Sequence, residues 1–243
     1  MSCKTFIKIV ISKIIISALI LLPLIAGSQG LTAQTSSGVL RGEVMVEMEP
    51  IFGLHIEQNY PLDRDEAYRR ALEKAAMFFS ASVYGWSFDY EIGERARGIP
   101  EVFELTPMGE IRWGDPKLRV THADFRDSRL YVWMDYHPDQ FQARRLQTWR
   151  SGTVRNAQAV GYGPLGMLGA EEEWITVRKL AMEDAARAAV RAMLQGNERN
   201  RPKEARGFIS LHSFPVYRLE AGRWACIARF HVEITEIVPF SVY

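Results

Sequence analysis

The stretch 63-DRDEAYRRALEKAAMFFSAS-82 decides the fold, because alanine recurs at every fourth position along it. It opens with an acid-x-x-Glu pattern that resembles a capping box, in which side chains accept hydrogen bonds from the unpaired N–H groups at a helix start. An alanine stripe lets the helix backbone lie close against a sheet. The sequence therefore predicts one helix packed on strands, through a stripe formed by Ala67, Ala71 and Ala75.

A second stretch, 171-EEEWITVRKLAMEDAARAAVRAMLQ-195, repeats this alanine pattern at a constant offset of 114 residues. A second match supports the first, since 128-SRLYVWMDYH-137 aligns without gaps with 222-GRWACIARFH-231. Both of these segments alternate apolar and polar residues, as half-buried strands do, and both end in an aromatic residue followed by histidine. We interpret the two matches as a sign of two related units.

The predicted fold class is α+β, with two related units that each pack one alanine-rich helix on a small, mainly antiparallel sheet. The first unit covers residues 38–137 and the second covers 152–239, while the connector 138–151 is predicted to hold a short helix. Alternation predicts strands that begin at Gly42 and Thr153 and that cover 84–92, 102–113, 129–137, 207–219 and 223–237.

The first 28 residues have the layout of a secretory signal peptide. Lys4, Lys8 and Lys13 precede an apolar run from Ile14 to Ala26, and small residues follow. We expect cleavage between residues 26 and 34, an exported protein in the periplasm or at the outer membrane, and no stable transmembrane anchor after cleavage. Cys3 precedes the apolar run, so a lipid-modified cysteine is not expected.

Charge and cysteine content narrow the classes of partner. Loss of the three lysines with the signal takes the formal net charge from +1 to −2. A nucleic-acid partner is not expected, because phosphate binding requires a concentrated basic surface. Cys226 then remains alone, which rules out an intramolecular disulfide, and its alternation in phase with Trp224 and Ala228 predicts a buried, unreactive thiol.

Gly161, Gly163 and Gly166 form a G-x-G-x-x-G pattern ahead of the second helix. A dinucleotide-binding loop also requires a parallel strand after the helix and an acid near the end of that strand. Here an antiparallel hairpin follows, and the glutamates 171–173 would repel a phosphate at the helix start. We therefore expect no nucleotide and no cofactor, and interpret the glycines as a flexible strand-to-helix connection.

No catalytic and no metal-binding residues are predicted, and the chain is not expected to be an enzyme. The five histidines lack metal-site spacing, and no serine-nucleophile motif is present. His137 and His231 end equivalent predicted strands, and we interpret them as solvent-facing strand ends. An envelope hydrolase is the weakest alternative, because no pair of carboxylates is singled out.

The strand 84–92 and the apolar chain end carry the candidate partner-binding residues. Aromatic side chains on one face of this strand suit a protein partner or a sugar ring. The alternative, which we favour for the strand, is a core face covered by the first helix. The candidates are Trp86, Phe88 and Tyr90 on the strand, and Phe240 and Tyr243 at the end of the chain.

The segment from Ala159 to Leu194, a strand that ends in Gly-x-Gly and then a helix with Ala-x-x-x-Ala steps and acids, resembles the family of small bacterial outer-membrane lipoproteins. It also resembles the related N-terminal domain of flagellar assembly protein T. The resemblance extends to the first unit through the internal repeat. The chain would then be a tandem, divergent member that lacks the lipidation cysteine. The resemblance implies envelope modules of a helix on a sheet, with structural roles and no catalytic residues.

The sequence as a whole predicts a non-catalytic, exported structural or assembly component of the cell envelope. The expected partners are envelope or flagellar proteins, or a second copy of the chain. The alternative is a periplasmic module that binds peptidoglycan or another ligand.

Overall fold

The structure is a computed structural model that describes residues 38–50, 60–93, 98, 100–165, 174–197 and 202–239. All of these residues belong to one compact unit. The helices are α1 (Arg64–Val83), α2 (Gln140–Thr148) and α3 (Trp174–Asn197). The strands are β1 (Leu40–Glu47), β2 (Trp86–Glu91), β3 (Val102–Pro107), β4 (Leu118–Arg126), β5 (Arg129–Tyr136), β6 (Arg155–Tyr162), β7 (Glu204–Glu220) and β8 (Arg223–Val238).

The strands form two sheets, and each pairing between described strands is antiparallel. The three-stranded sheet has the order β1-β5-β4, and the five-stranded sheet has the order β3-β2-β7-β8-β6. The expected α+β class with mainly antiparallel sheets is confirmed. The hairpin β2–β3 lies within the predicted first unit but pairs with β7, so the five-stranded sheet combines strands from both predicted ranges.

Helix α1 begins where the sequence predicts. The Asp63 carboxylate accepts a hydrogen bond of 2.7 Å from the Glu66 N–H, which satisfies one of the unpaired donors at the helix start. The helix packs on β1, β5 and β7. Its alanine stripe is completely buried against them, as the fourfold spacing predicts, with 0% exposure at Ala67, Ala71 and Ala75.

Helix α3 approaches its sheet through glycines. A Cβ atom at Gly161 would lie 1.9 Å from the backbone nitrogen of Ala185, and one at Gly163 would lie 3.1 Å from the carbonyl oxygen of Val177. These two glycines therefore allow close helix–strand packing, and Gly161 belongs to β6 itself. Their interpretation as a flexible connection is corrected, while Gly166 lies outside the described residues.

Strand β7 belongs to the five-stranded sheet and also packs on α1. It has 17 residues, and its register with β8 shifts at three places between Arg206 and Val216. Its first half pairs with β2, whereas Phe214 in its second half meets α1. The Phe214 ring makes edge contacts with Phe78 and Phe79, at centroid distances of 5.0 and 4.9 Å.

Two predictions about strands are corrected. The expected strand 102–113 ends at Pro107, since proline has no N–H group to donate to a ladder. The structure then adds β4, which the sequence did not reveal, because exposed side chains lie on both of its faces and leave no alternation. The predicted connector contains α2, and its Asp139 and Gln142 form a reciprocal capping box.

A methyl group at Gly161 tests the close packing of α3. We expect Gly161→Ala to destabilise the fold by about 1–3 kcal/mol, because the added atom must push the helix backbone away. For a chain of this size, each kcal/mol lowers the melting temperature by roughly 2–4 °C in thermal unfolding. Gly152→Ala is the control, since a Cβ there would meet nothing within 4 Å. Equal melting temperatures for the two variants would contradict the packing.

Candidate functional site

The aromatic strand predicted as a partner-binding candidate is part of the core. Trp86, Phe88 and Tyr90 are 4%, 2% and 6% exposed, and they belong to the main hydrophobic cluster. Phe103 on the neighbouring strand packs on Phe88 and Tyr90, at centroid distances of 6.0 and 5.9 Å. Their proposed role as a binding surface is corrected in favour of the core alternative. Phe240 and Tyr243 lie outside the described residues.

A partly exposed aromatic surface lies on the three-stranded sheet, on the side opposite α1. Strand β5 turns Val132 and Met134 into the core and Tyr131 and Trp133 outward, where both rings are half-buried. The register with β1 and β4 sets charged and polar side chains on both sides of these rings. We call this surface the β5 face, and it consists of Arg41, Glu43, Met45, Arg119, His122, Asp124, Arg126, Arg129, Tyr131, Trp133 and Asp135.

The centre of the β5 face is apolar and its surroundings are charged. The Trp133 and His122 rings lie 5.1 Å apart at an angle of 42°. The Arg126 guanidinium carbon lies 4.2 Å from the centroid of the Tyr131 ring, a cation–π contact. An open cleft of about 430 Å³ lies beside the indole. Its lining residues are Arg41, Gly42, Thr121, His122, Trp133, Met134 and Asp135.

The β5 face shares part of its composition with protein interfaces. Interfaces are enriched in Trp, Tyr, Met and Arg and depleted of Lys relative to other surface. The defined face holds four arginines, three carboxylates, one histidine, one tryptophan, one tyrosine and one methionine, and no lysine is among its residues. Arg126 and Arg129 also lie directly opposite each other, and like charges in this position repel. Asp124 offsets part of that repulsion, since its Oδ2 atom lies 3.8 Å from the Nε atom of Arg126.

Sequence reasoning missed this face for two reasons. Arg119, His122 and Asp124 lie on β4, which has no alternating pattern. The face is also assembled by pairing between β1 and β5, whose sequences are far apart. One signal was present in the sequence: Tyr131 and Trp133 occupy the polar positions of an alternating strand.

A buried cluster of three cations joins the helices to the strands, and it consists of Arg70, Lys74 and Arg178. The Arg178 guanidinium carbon lies 4.1 Å from the Trp224 ring centroid and 5.4 Å from that of Trp174. Arg70 also reaches Trp174, at 5.4 Å, and so links α1 to α3. These contacts extend from α1 through α3 to β8.

Lys74 is the cation of this cluster whose buried positive charge is least balanced by its contacts. Its ammonium group donates a hydrogen bond of 2.8 Å to the carbonyl oxygen of Met45 on β1. Burial, with a smaller effect from Arg178, lowers the pKa of Lys74 to about 8, while Glu47 opposes the shift. Because the pKa stays above 7, Lys74 is charged at neutral pH. Its contacts are with the backbone and rings of this fold, so we interpret the cluster as a structural joint.

A histidine pair occupies the middle of the β7–β8 hairpin. The Nδ1 atom of His212 lies 3.0 Å from the Nε2 atom of His231. Burial, followed by His212 and then Arg150, lowers the pKa of His231 to about 4. Burial and Arg229 lower the pKa of His212 as well. The interpretation of His231 as a solvent-facing strand end is therefore corrected, since β8 continues to Val238.

The predicted burial of Cys226 is confirmed, with 0% exposure. Burial raises the pKa of its thiol to about 12, despite a hydrogen bond with Tyr217 that opposes the shift. The group is thus a neutral thiol at physiological pH. Among the described residues, His, Cys, Asp and Glu form no group of three that could hold a metal ion. Within the same ranges, no helix has the length and apolar character of a membrane span.

Comparisons with known proteins assign the chain to a family. A family model whose description names no function matches residues 27–240. The chain belongs to that family. An uncharacterised protein of Treponema pallidum (strain Nichols) is 29% identical over 171 residues, which are 70% of this chain and 69% of that protein. No solved structure matches. The resemblance to envelope lipoproteins and to flagellar assembly protein T stays a prediction.

The histidine pair makes stability depend on pH. His231 stays neutral in the folded chain until the pH nears 4, whereas the unfolded chain takes up this proton near pH 6.5. The contribution of neutral His231 to the free energy of unfolding is therefore fully present above pH 6.5, and it is lost as the pH drops toward 4. We expect the melting temperature to fall between pH 7 and pH 5, and to fall less in His231→Gln. Exposed His137→Gln is the control, and an equal reduction in both variants would contradict this role.

Proposed function

We propose that this chain is an exported, non-catalytic component of the cell envelope that binds a protein partner through the β5 face. The observation that carries the proposal is the half-buried aromatic centre of that face, Trp133 with Tyr131, inside a border of arginines and carboxylates. Trp, Tyr and Arg are the residue types that contribute most binding energy at protein interfaces. Four arginines against three carboxylates leave the face with a small positive excess, which favours a partner surface with an apolar centre and both signs of charge around it.

The first 28 residues support the export part of the proposal. Their basic start, apolar run and small residues are typical of a secretory signal peptide. The resemblance to envelope lipoproteins and to the flagellar assembly domain agrees with a structural role in the periplasm or at the outer membrane. Envelope or flagellar proteins are therefore the proposed partners.

We also propose that the chain arose from two related units. Strand, helix and hairpin follow one another in both halves, with the strand orders β1-β5-β4 and β6-β8-β7. Ala71 and Ala185, which the repeat aligns, are both 0% exposed, and so are Val132 and Cys226. The hairpin β2–β3 is then an addition to the first unit that extends the sheet of the second.

A second candidate function is binding of peptidoglycan or another small ligand. The cleft of about 430 Å³ beside Trp133 favours it, because an indole offers a flat apolar surface to a sugar ring. Arg41 and Asp135, whose Nε and Oδ1 atoms lie 3.3 Å apart, offer polar groups at the same cleft.

Polar substitution at the centre of the β5 face tests both candidates. We expect the wild-type chain to migrate in a large complex on native gels of solubilised envelopes. The double variant Tyr131→Ser with Trp133→Ser should fold normally and migrate outside that complex. The reason is that both rings are half-exposed, so their loss removes interface area and little core. Trp113→Ser is the matched control, since Trp113 is 54% exposed and lies off this face.

The same variants separate the two candidates. A folded double variant that stays in the complex would contradict binding through the β5 face. Sedimentation with purified cell-wall sacculi checks the second candidate: wild-type protein that pellets, and a double variant that does not, would favour peptidoglycan over a protein partner.

A further inference from the structure

Strand β6 is the least protected sheet edge in the described part of the chain. Free edges are normally blocked by bulges, prolines, charges or capping groups. The edge of β1 is capped by Lys74, β4 has a register shift between Val120 and His122, and β3 ends in proline. By contrast, β6 runs for eight residues without a register shift, and Arg155 is its one charged residue.

Two hydrogen bonds identify the backbone groups on the free side of β6. Gly163, two residues after Gly161, donates its N–H to the Trp224 carbonyl on β8. The N–H of Tyr162 instead points away from β8, to the Asp184 carboxylate, at 2.9 Å. Backbone groups alternate in direction along an antiparallel strand. Among the residues that the structure describes, the outward N–H and C=O groups without such a cap therefore belong to Asn156, Gln158 and Val160.

This set of outward groups is symmetric about its middle residue. We propose that β6 pairs antiparallel with β6 of a second copy, around a two-fold axis through Gln158. In this register Gln158 faces Gln158 of the second copy, and Asn156 faces Val160. Each outward N–H and C=O of the set then has a partner, and an isologous contact of this kind closes as a dimer. This inference goes beyond the proposed function, because it does not involve the β5 face.

The path of α3 leaves room for this pairing. The helix lies tightly over Gly161, at one end of β6. It then crosses the sheet toward the opposite edge. Arg191 on this helix donates a hydrogen bond of 2.7 Å to Glu101, which precedes β3, and its guanidinium lies 5.9 Å from the ring centroid of Phe103 on β3. The two-fold axis sets the Gly161 end of one strand beside the Arg155 end of the other. At each end of the pairing, α3 of one copy therefore lies near the shared edge, while α3 of the other copy lies farther from it.

The side chains of β6 also suit a second copy. Ala157 and Ala159 lie on the α3 side of the strand, as Gly161 does, and are only half-buried. On this side the methyl groups of one copy would meet the methyl groups of the other. The exposed side chains on the other side are uncharged near the axis. Arg155 lies at the outer end of each strand, which keeps the two guanidinium groups roughly 20 Å apart at about 3.4 Å per residue.

Proline at the axis tests the pairing. Proline is tolerated where an edge-strand N–H faces solvent, so Gln158→Pro removes an outward donor and keeps the β6–β8 ladder. We expect protein purified from cells that express the full chain to sediment as a dimer, Gln158→Ala to stay dimeric, and Gln158→Pro to become monomeric. A monomeric wild type, or a Gln158→Pro dimer, would overturn the proposal. Thermal unfolding checks that each variant is folded.

Cysteine cross-linking tests the register without a disruptive substitution. Gln158→Cys should form a disulfide between two copies under mild oxidation, because facing residues of a ladder lie within disulfide reach. Asn156→Cys and Val160→Cys should cross-link when mixed and not when either is alone. Absence of the mixed product, or equal cross-linking of each variant alone, would overturn the two-fold register. Cys226 is buried and does not compete.

Discussion

The edge contacts of Phe214 with Phe78 and Phe79 hold the two sheets to one helix. A side chain at Gly42 would overlap the Phe214 ring, so the same ring also fits against β1. Because Phe214 lies in the second half of β7, these contacts fix that half of the strand against α1. The strands β2, β3, β8 and β6 all follow from β7 through the ladder of the five-stranded sheet. The buried cations Arg70, Lys74 and Arg178 add a second joint between the same parts.

Much of this fold is readable from local sequence, and the rest depends on long-range pairing. The alanine spacing identifies α1 and α3, and alternation identifies β1, β2, β5 and β8, because both patterns report which side of an element is buried. The same patterns do not say which strands pair. The sequence therefore left a binding role open for Trp86 and Phe88 beside the favoured core role, and it did not show that β2 joins the sheet of the other half. His231 became half-buried for the same reason, since β7 brings His212 beside it.

The candidate site shows this limit most clearly. The sequence contains Tyr131 and Trp133 at outward positions of a recognisable strand. Their neighbours Arg119 and His122 come from β4, which is exposed on both faces and carries no periodic signal. Helix α1 covers one side of the three-stranded sheet, and the β5 face is the opposite side. The β5 face and the β6 edge lie on different sheets, so one chain could bind a partner and a second copy at once.

Site-specific photocrosslinking in living cells tests the central claim, that the chain works by association through the β5 face. A photoreactive amino acid replaces Trp133 in the full chain, and, in a second strain, the exposed Trp113. The account predicts a discrete cross-linked product with an envelope protein from position 133 and none from position 113. Equal products from both positions, or no product from position 133, would contradict it.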